Sequence, residues 1–284
     1  MGTSRWAELK PVPAIDLPAV DLCDALNSCF EDYVVPFHLS TAQADRRFRR
    51  ESLDAEASSV WTDDVGPVAV TLIARRGWDS RLAAMAVAKR LRGQGVGRHV
   101  MKVVVDEARN RGDRRLVLEV VEQNLPAIKL YEGVGFRKTR RIVGWERPPD
   151  MAGAGKGAVV EEADPSVAVR AFYDLGPRDM PWNLQPVTLA QLAVPTKAFT
   201  VDGQAFTLVT DTPSDRAVLW QIAVVPESRG QGLARRLVEG VAALYPGKTL
   251  FTSIDVPEDL TRGFFERTGF REMSLRQFEM AVDP

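Results

Sequence analysis

The stretch "RLRGQGVGRHV", Arg90–Val100, returns nearly half a chain later as "ESRGQGLARRL", Glu227–Leu237. Each packs glycine and arginine into a few residues ahead of a helical pattern. The apolar positions are Val96, Val100, Val103, Val104 and Ala108 in the first, and Leu233, Leu237, Val241 and Leu244 in the second. Working outward, each stretch follows two β-rich runs around a turn. "PVAVTLIARRGWDSRLAAMAVA", Pro67–Ala88, turns at Gly77–Ser80, and "AFTLVTDTPSDRAVLWQIAVVP", Ala205–Pro226, turns at Thr212–Asp215. Each helix stops near a glycine, Gly112 and Gly247. A buried-strand run follows, at Arg115–Val121 and Thr249–Ile254. A short helix then leads into "LYEGVGF", Leu130–Phe136, and "FFERTGF", Phe264–Phe270, before a last strand-like run. One order repeated over so many parts predicts two homologous α/β domains. They are expected at residues 1–150 and 158–284, joined by a Pro/Gly/Ala-rich linker at 147–158, "RPPDMAGAGKGA".

The 284 residues permit one large domain or two of ordinary size, and 45% hydrophobic and 26% charged content suits a soluble globular protein. A net charge of −1 speaks against a nucleic-acid binder. The local basic runs Arg46–Arg50 and Arg137–Arg141 read as solvated faces, the second less firmly because it follows the short helix. No apolar run is long enough for a membrane span, and the first residues lack the apolar core of a signal peptide. Two cysteines, Cys23 and Cys29, make no disulfide framework and read as core residues, so a cytoplasmic location is expected. With two histidines, His38 and His99, and no His/Cys cluster, no metal site is expected.

The glycine stretch suits an anion. A strand ends, the backbone turns tightly, and a helix begins whose first amides have no intrahelical acceptors. Glycine lets a phosphate approach the backbone closely, and Arg92 and Arg98 can add charge-assisted contacts. Neither common nucleotide loop fits. A P-loop needs a lysine this stretch lacks, and a dinucleotide loop needs Gly-x-Gly-x-x-Gly after the first strand, whereas Gly93, Gly95 and Gly97 are spaced by two.

"AVAKRLRGQGVGRHVM" followed by "LEVVEQNLPAIKLYEGVGF" resembles the GNAT superfamily of acyl-CoA-dependent N-acetyltransferases, and the resemblance extends to both halves. Arg92-Gly93-Gln94-Gly95-Val96-Gly97 looks like that family's pyrophosphate loop. Asn124, Ala127, Leu130–Tyr131 and Gly135–Phe136 look like its later motif. The resemblance implies an α/β (α+β) fold of two tandem domains. Each would be a mixed, mainly antiparallel twisted sheet flanked by helices, with a split between its central parallel strands. It further implies acetyl-CoA as cofactor and a small-molecule or peptide amine as acceptor. The pantetheine arm would lie against Ala86, Val87 and Ala88, and the amides of Gln94–Arg98 would hold the pyrophosphate. Asn124 would meet the pantetheine, and Tyr131 would protonate the leaving thiolate. Asn124 also reads as a helix N-cap, which is compatible with that contact. Glu119 and Glu122 are the carboxylates nearest in sequence to the reaction point; each reads as structural or as the base, Glu119 being the candidate. His38 reads as a surface residue or part of an acceptor pocket, and His99 as structural.

The second copy keeps Val224 and Val225, then Arg229, Gly230, Gln231, Gly232, Leu233, Ala234 and Arg235, as a second cofactor loop. Counting back from its Gly-Phe pair, Phe265 stands where Tyr131 does and Glu258 where Asn124 does. Phenylalanine has no proton to give, so the first half is expected to be catalytic. The competing expectation is a chain that binds acyl-CoA as a sensor or scaffold without turnover. Trp220 is expected to pack. Monomer or homodimer stays open.

Overall fold

The protein is described here by a computed structural model, covering residues 6, 9–151 and 159–284. In chain order come β1 (Pro11–Pro13), α1 (Ala19–Cys29), α2 (Thr41–Glu51), β2 (Leu53–Asp63), β3 (Gly66–Arg76), β4 (Asp79–Val87), α3 (Val96–Arg111), β5 (Arg115–Val121), α4 (Leu125–Glu132) and β6 (Arg137–Arg147). Then come β7 (Glu161–Ala163), α5 (Pro165–Leu175), α6 (Pro186–Leu189), β8 (Thr196–Val201), β9 (Ala205–Asp211), β10 (Arg216–Val224), α7 (Leu233–Leu244), β11 (Thr249–Phe251), β12 (Val256–Pro257), α8 (Glu258–Arg267) and β13 (Arg271–Val282). The repeated order of the sequence is repeated in the fold.

The chain divides into two compact units. One takes residues up to Thr139 together with Phe278–Pro284, and the other takes Arg140–Gln277. This division differs from the expected boundaries. Residues 152–158 of the expected linker lie outside the described residues, and β6 runs up to Arg147 before a short turn at Pro149–Met151. The physical reason lies in where two long strands find their partners. At the start of β6, Thr139 donates to the Glu279 carbonyl (3.1 Å) in the first unit. Further along, Ile142 and Val143 pair with Pro257 and Val256 in the second. Likewise the end of β13 packs Phe278, Met280 and Val282 into the first unit's core.

In the first unit β2, β3 and β4 pair antiparallel in sequence order, β1 flanks β2, and β5 lies parallel to β4. In the second, β7, β8, β9 and β10 pair antiparallel, and β11 lies parallel to β10. Period-2 burial explains the central strands: β10 alternates buried and half-buried along its length. Helical spacing explains α3, which buries Val96, Val100, Met101, Val104, Val105 and Ala108 against the sheet. α7 buries Leu233, Leu237, Val238 and Val241, but Leu244, expected in that stripe, is its last residue and is exposed. The strand expected over Thr249–Ile254 stops at Phe251, because Thr252 turns its hydroxyl to accept from the Trp145 amide (2.9 Å). Cys23 and Cys29 are buried on α1 as free thiols. No helix among the described residues is long and apolar enough to cross a membrane.

Candidate active site

In the first unit the parallel pairing of β4 with β5 ends at Arg81 opposite Val117, while β4 runs on to Val87 and β5 to Val121. The two strands therefore open into a split, where the sequence places Ala86, Val87 and Ala88. The Ala88 amide donates to the Val68 carbonyl of β3 (2.9 Å). Alternation along a strand then turns the Val87 amide to the other edge, into the split. The second unit repeats this. Pairing of β10 with β11 ends at Val218 opposite Phe251, and the Val225 amide donates to the Gln204 carbonyl (2.9 Å), which turns Val224 into its split.

After β4 a short turn leads into the loop Arg92–Gly95. Gly93 and Gly95 sit at φ +76° and +88°, and an added Cβ at either would meet no atom within 4 Å. The left-handed backbone favours glycine there, and the space beside it is open. α3 then begins at Val96 with Gly95 as its N-cap. Among the described residues no side chain caps it, and its first turn holds no acidic residue. Its leading amides have no intrahelical acceptor. α7 begins in the same way at Leu233, with Gly232 at φ +80°. Gly97 has a different use: a Cβ there would come within 3.1 Å of Leu130, so it lets α3 and α4 approach.

The side chains of the loop correct the sequence reading. Arg92 was expected to contact a phosphate. Instead its Nε donates to the Val87 carbonyl (3.0 Å) and its Nη2 to the carbonyls of Cys29 (3.1 Å) and Glu31 (2.6 Å), at the C-terminal end of α1. Helix-terminal carbonyls lack intrahelical donors and attract a cation, so the guanidinium is satisfied there. Gln94 closes the loop by donating to the Arg90 carbonyl (2.9 Å), and the Trp6 indole donates to the Gln94 carbonyl (2.9 Å). The second unit copies the device. Arg229 donates to the carbonyls of Val224 (3.1 Å) and Leu175 (3.2 Å, the last residue of α5), and Gln231 to that of Glu227 (3.1 Å). Arg98 stays exposed, beside Gly133. Arg235 pairs with Glu239 (2.8 Å).

Tyr131 lies on α4, 7% exposed, its ring 5.9 Å from that of Phe136. Burial, and after it the neighbouring Tyr33, push its hydroxyl well above the usual tyrosine range. It therefore holds its proton throughout the neutral range. Asn124 caps α4 by accepting from the Ala127 amide (3.3 Å), and its side chain bonds the Tyr33 hydroxyl. Tyr33, just past α1, is the site residue that the sequence reading missed; it sits in no recognisable motif.

Glu119 is corrected as a base. Both its oxygens accept from Arg81 Nε (3.0 and 2.8 Å). Arg81 also bonds Glu51 (2.8 Å), a carboxylate only 2% exposed. Glu51 in turn holds Arg47 (3.0 Å), whose Nη2 donates to the Ala83 carbonyl (2.7 Å) at the bulge in β4. Part of the run Arg46–Arg50 is therefore a buried network rather than a solvated face. Arg140 and Arg141 of the other basic run bond Asp179 and Glu258. Glu122 is half-buried at the end of β5, His38 is exposed, and His99 packs edge-on against Trp61 at 6.0 Å. In the second unit Phe265 is buried and stacked on Trp145 at 5.3 Å, and Glu258 opens α8 and pairs with Arg141 (3.5 Å). Trp220 packs between two core clusters and donates to Thr210 (2.7 Å).

Comparison with known proteins bears on this geometry. The Acetyltransferase (GNAT) family matches residues 20–136, and the Acetyltransferase (GNAT) domain matches residues 198–272. A probable N-acetyltransferase, camello, of Xenopus laevis is 32% identical over 108 residues, covering 34% of this chain and 49% of that protein. Streptothricin acetyltransferase of Streptomyces lavendulae is 44% identical over 61 residues, 21% of this chain and 32% of that one. The chain thus spans at most about half the length of these curated relatives. A tandem GNAT protein from the clavulanic acid biosynthesis pathway shares the fold over 97% of this chain and 98% of its own, with a TM-score of 0.69 at 16% identity.

Proposed function

The chain carries two GNAT acetyltransferase domains in tandem, and we propose that the first transfers an acetyl group from acetyl-CoA to a primary amine of a small molecule or peptide. The observation that carries this reading is the uncapped start of α3 beside an open split, with a buried, protonated Tyr131 on the helix that follows β5. Acetyl-CoA, when bound, supplies an activated thioester carbonyl. The loop amides from Gln94 to Arg98 would take the pyrophosphate, with Arg92 and Gln94, bonded to the Val87 and Arg90 carbonyls, fixing their direction from behind. Ala86–Ala88 would pair with the pantetheine arm, and the Val87 amide would polarise the carbonyl. Tyr131 would give its hydroxyl proton to the thiolate that leaves as the amine nitrogen takes the acyl carbon, and would regain one from solvent. The proton lost by the amine leaves to water, since Glu119 is occupied by Arg81 on both oxygens.

Thiol release from acetyl-CoA across a panel of amines tests this. Tyr131→Phe should lower kcat by about 100-fold, as for loss of a general acid, while the Kd for coenzyme A stays within about twofold. Unchanged turnover in that variant removes Tyr131 from the mechanism; no turnover with any amine sinks the enzyme reading.

A further inference from the structure

We propose that the second unit is a non-transferring site for a coenzyme A thioester whose acyl chain is longer than acetyl. The proposal rests on the reading above that such splits hold coenzyme A thioesters. Four observations carry it. First, a cavity of about 920 Å³ lies within this unit, running from the Gly230–Gly232 loop along β10 to α8. Second, Gln221 lines it at 8% exposed, and its side-chain oxygen Oε1 has no hydrogen-bond partner among the described residues. A buried amide oxygen left unpaired is costly, so it marks a place for a ligand N–H. A pantetheine arm carries two amides, and Gln221 lies on the strand against which that arm would run. The first unit has Ala84 at the corresponding place in β4.

Third, the root of the split has changed chemistry. Where the first unit closes its fork with the Arg81–Glu119 ion pair, counting from the last paired residues puts Val218 and Ser253, two residues past the end of β11, in those places. Leu184, Leu219, Val256 and Phe265 are among the residues that line the cavity. With its pyrophosphate at the loop, a thioester laid along β10 would point its acyl group toward the root, where an apolar chain would be buried rather than set against that ion pair. Fourth, the proton donor is gone. Phe270 and Phe136 make the same backbone bond, to the carbonyls of Phe265 (2.9 Å) and Tyr131 (3.1 Å), which puts Phe265 in the place of Tyr131. A thiolate leaving there would meet the ring of Phe265, which has no proton to give, where the first unit holds the Tyr131 hydroxyl.

The test uses the full chain with a carboxylate introduced at one loop or the other. Gly95→Asp and Gly232→Asp both place aspartate where φ is positive and an added Cβ meets nothing within 4 Å. Aspartate tolerates that backbone, and its charge repels a phosphate. The Gly95→Asp chain should bind one octanoyl-CoA, tighter than acetyl-CoA by at least tenfold. Each methylene buried tightens binding by roughly fourfold. It should release no thiol. Adding Gln221→Leu or Gly232→Asp to it should weaken octanoyl-CoA by at least tenfold. Equal affinity for acetyl- and octanoyl-CoA in the Gly95→Asp chain overturns the chain-length assignment. No binding there, or binding of free octanoate as tight as of the thioester, overturns the site. If the unmodified chain binds no coenzyme A at either loop, the proposed function falls with it; binding at the first loop alone sinks only this proposal.

Discussion

Tyr131 and Glu51 are two acids that burial pushes the same way, and only at Glu51 do neighbouring charges reverse the outcome. For Tyr131 burial dominates and its hydroxyl stays protonated. For Glu51 burial alone would raise the carboxyl, but Arg47, Arg81 and Arg50 around it outweigh burial and hold it at about 2 against an ordinary 4.5. A depressed carboxylate contributes stability that is present above pH 4.5 and is lost as pH falls toward 2. Urea unfolding between pH 5 and pH 2.5 should show that loss, and Glu51→Gln should flatten the profile. The same variant should cost about 3 kcal/mol at pH 7, because it leaves Arg81 and Arg47 without their shared partner. A profile of equal slope in both chains would detach Glu51 from acid stability. Glu119→Gln belongs to the same network. It should lower stability without moving the pH dependence of kcat; a shifted alkaline or acid limb would restore Glu119 as the base.

The loop-and-helix element was legible in its backbone and not in its side chains. The glycines and the helix behind them were read correctly because φ > 0 and helical burial are local demands that a sequence must meet at fixed positions. Arg92 was misassigned because arginine beside a glycine loop serves equally as ligand or anchor. What decides is the end of α1, whose carbonyls stand far off in sequence. If Arg92 anchors, the forked geometry of its guanidinium matters more than its charge. Arg92→Lys should then weaken coenzyme A binding about as much as Arg92→Ala, on the order of tenfold, as expected for a loss near 1.4 kcal/mol. Recovery of affinity in the lysine variant, together with a weaker salt dependence in the alanine variant, would return Arg92 to the phosphate.

Across the whole molecule the repeat was visible because two β-rich runs, a loop, a helix and a Gly-Phe pair recur in one order. The division into units was less visible: β6 and β13 each span a boundary, and a strand's sequence does not say which partners its two ends will find. Duplication also explains the divergence. The loop, its arginine anchor and its glutamine clasp are kept in both units, whereas the fork ion pair and the tyrosine are kept in one. The central claim is therefore that chemistry belongs to the first unit. Steady-state thiol release from acetyl-CoA, with an amine that supports turnover, tests it most directly in the two loop variants. Gly95→Asp should lose at least 100-fold in kcat/KM, as expected when a phosphate cradle and its helix-start amides are blocked, while Gly232→Asp keeps at least half. Loss in Gly232→Asp with activity retained in Gly95→Asp would contradict the account.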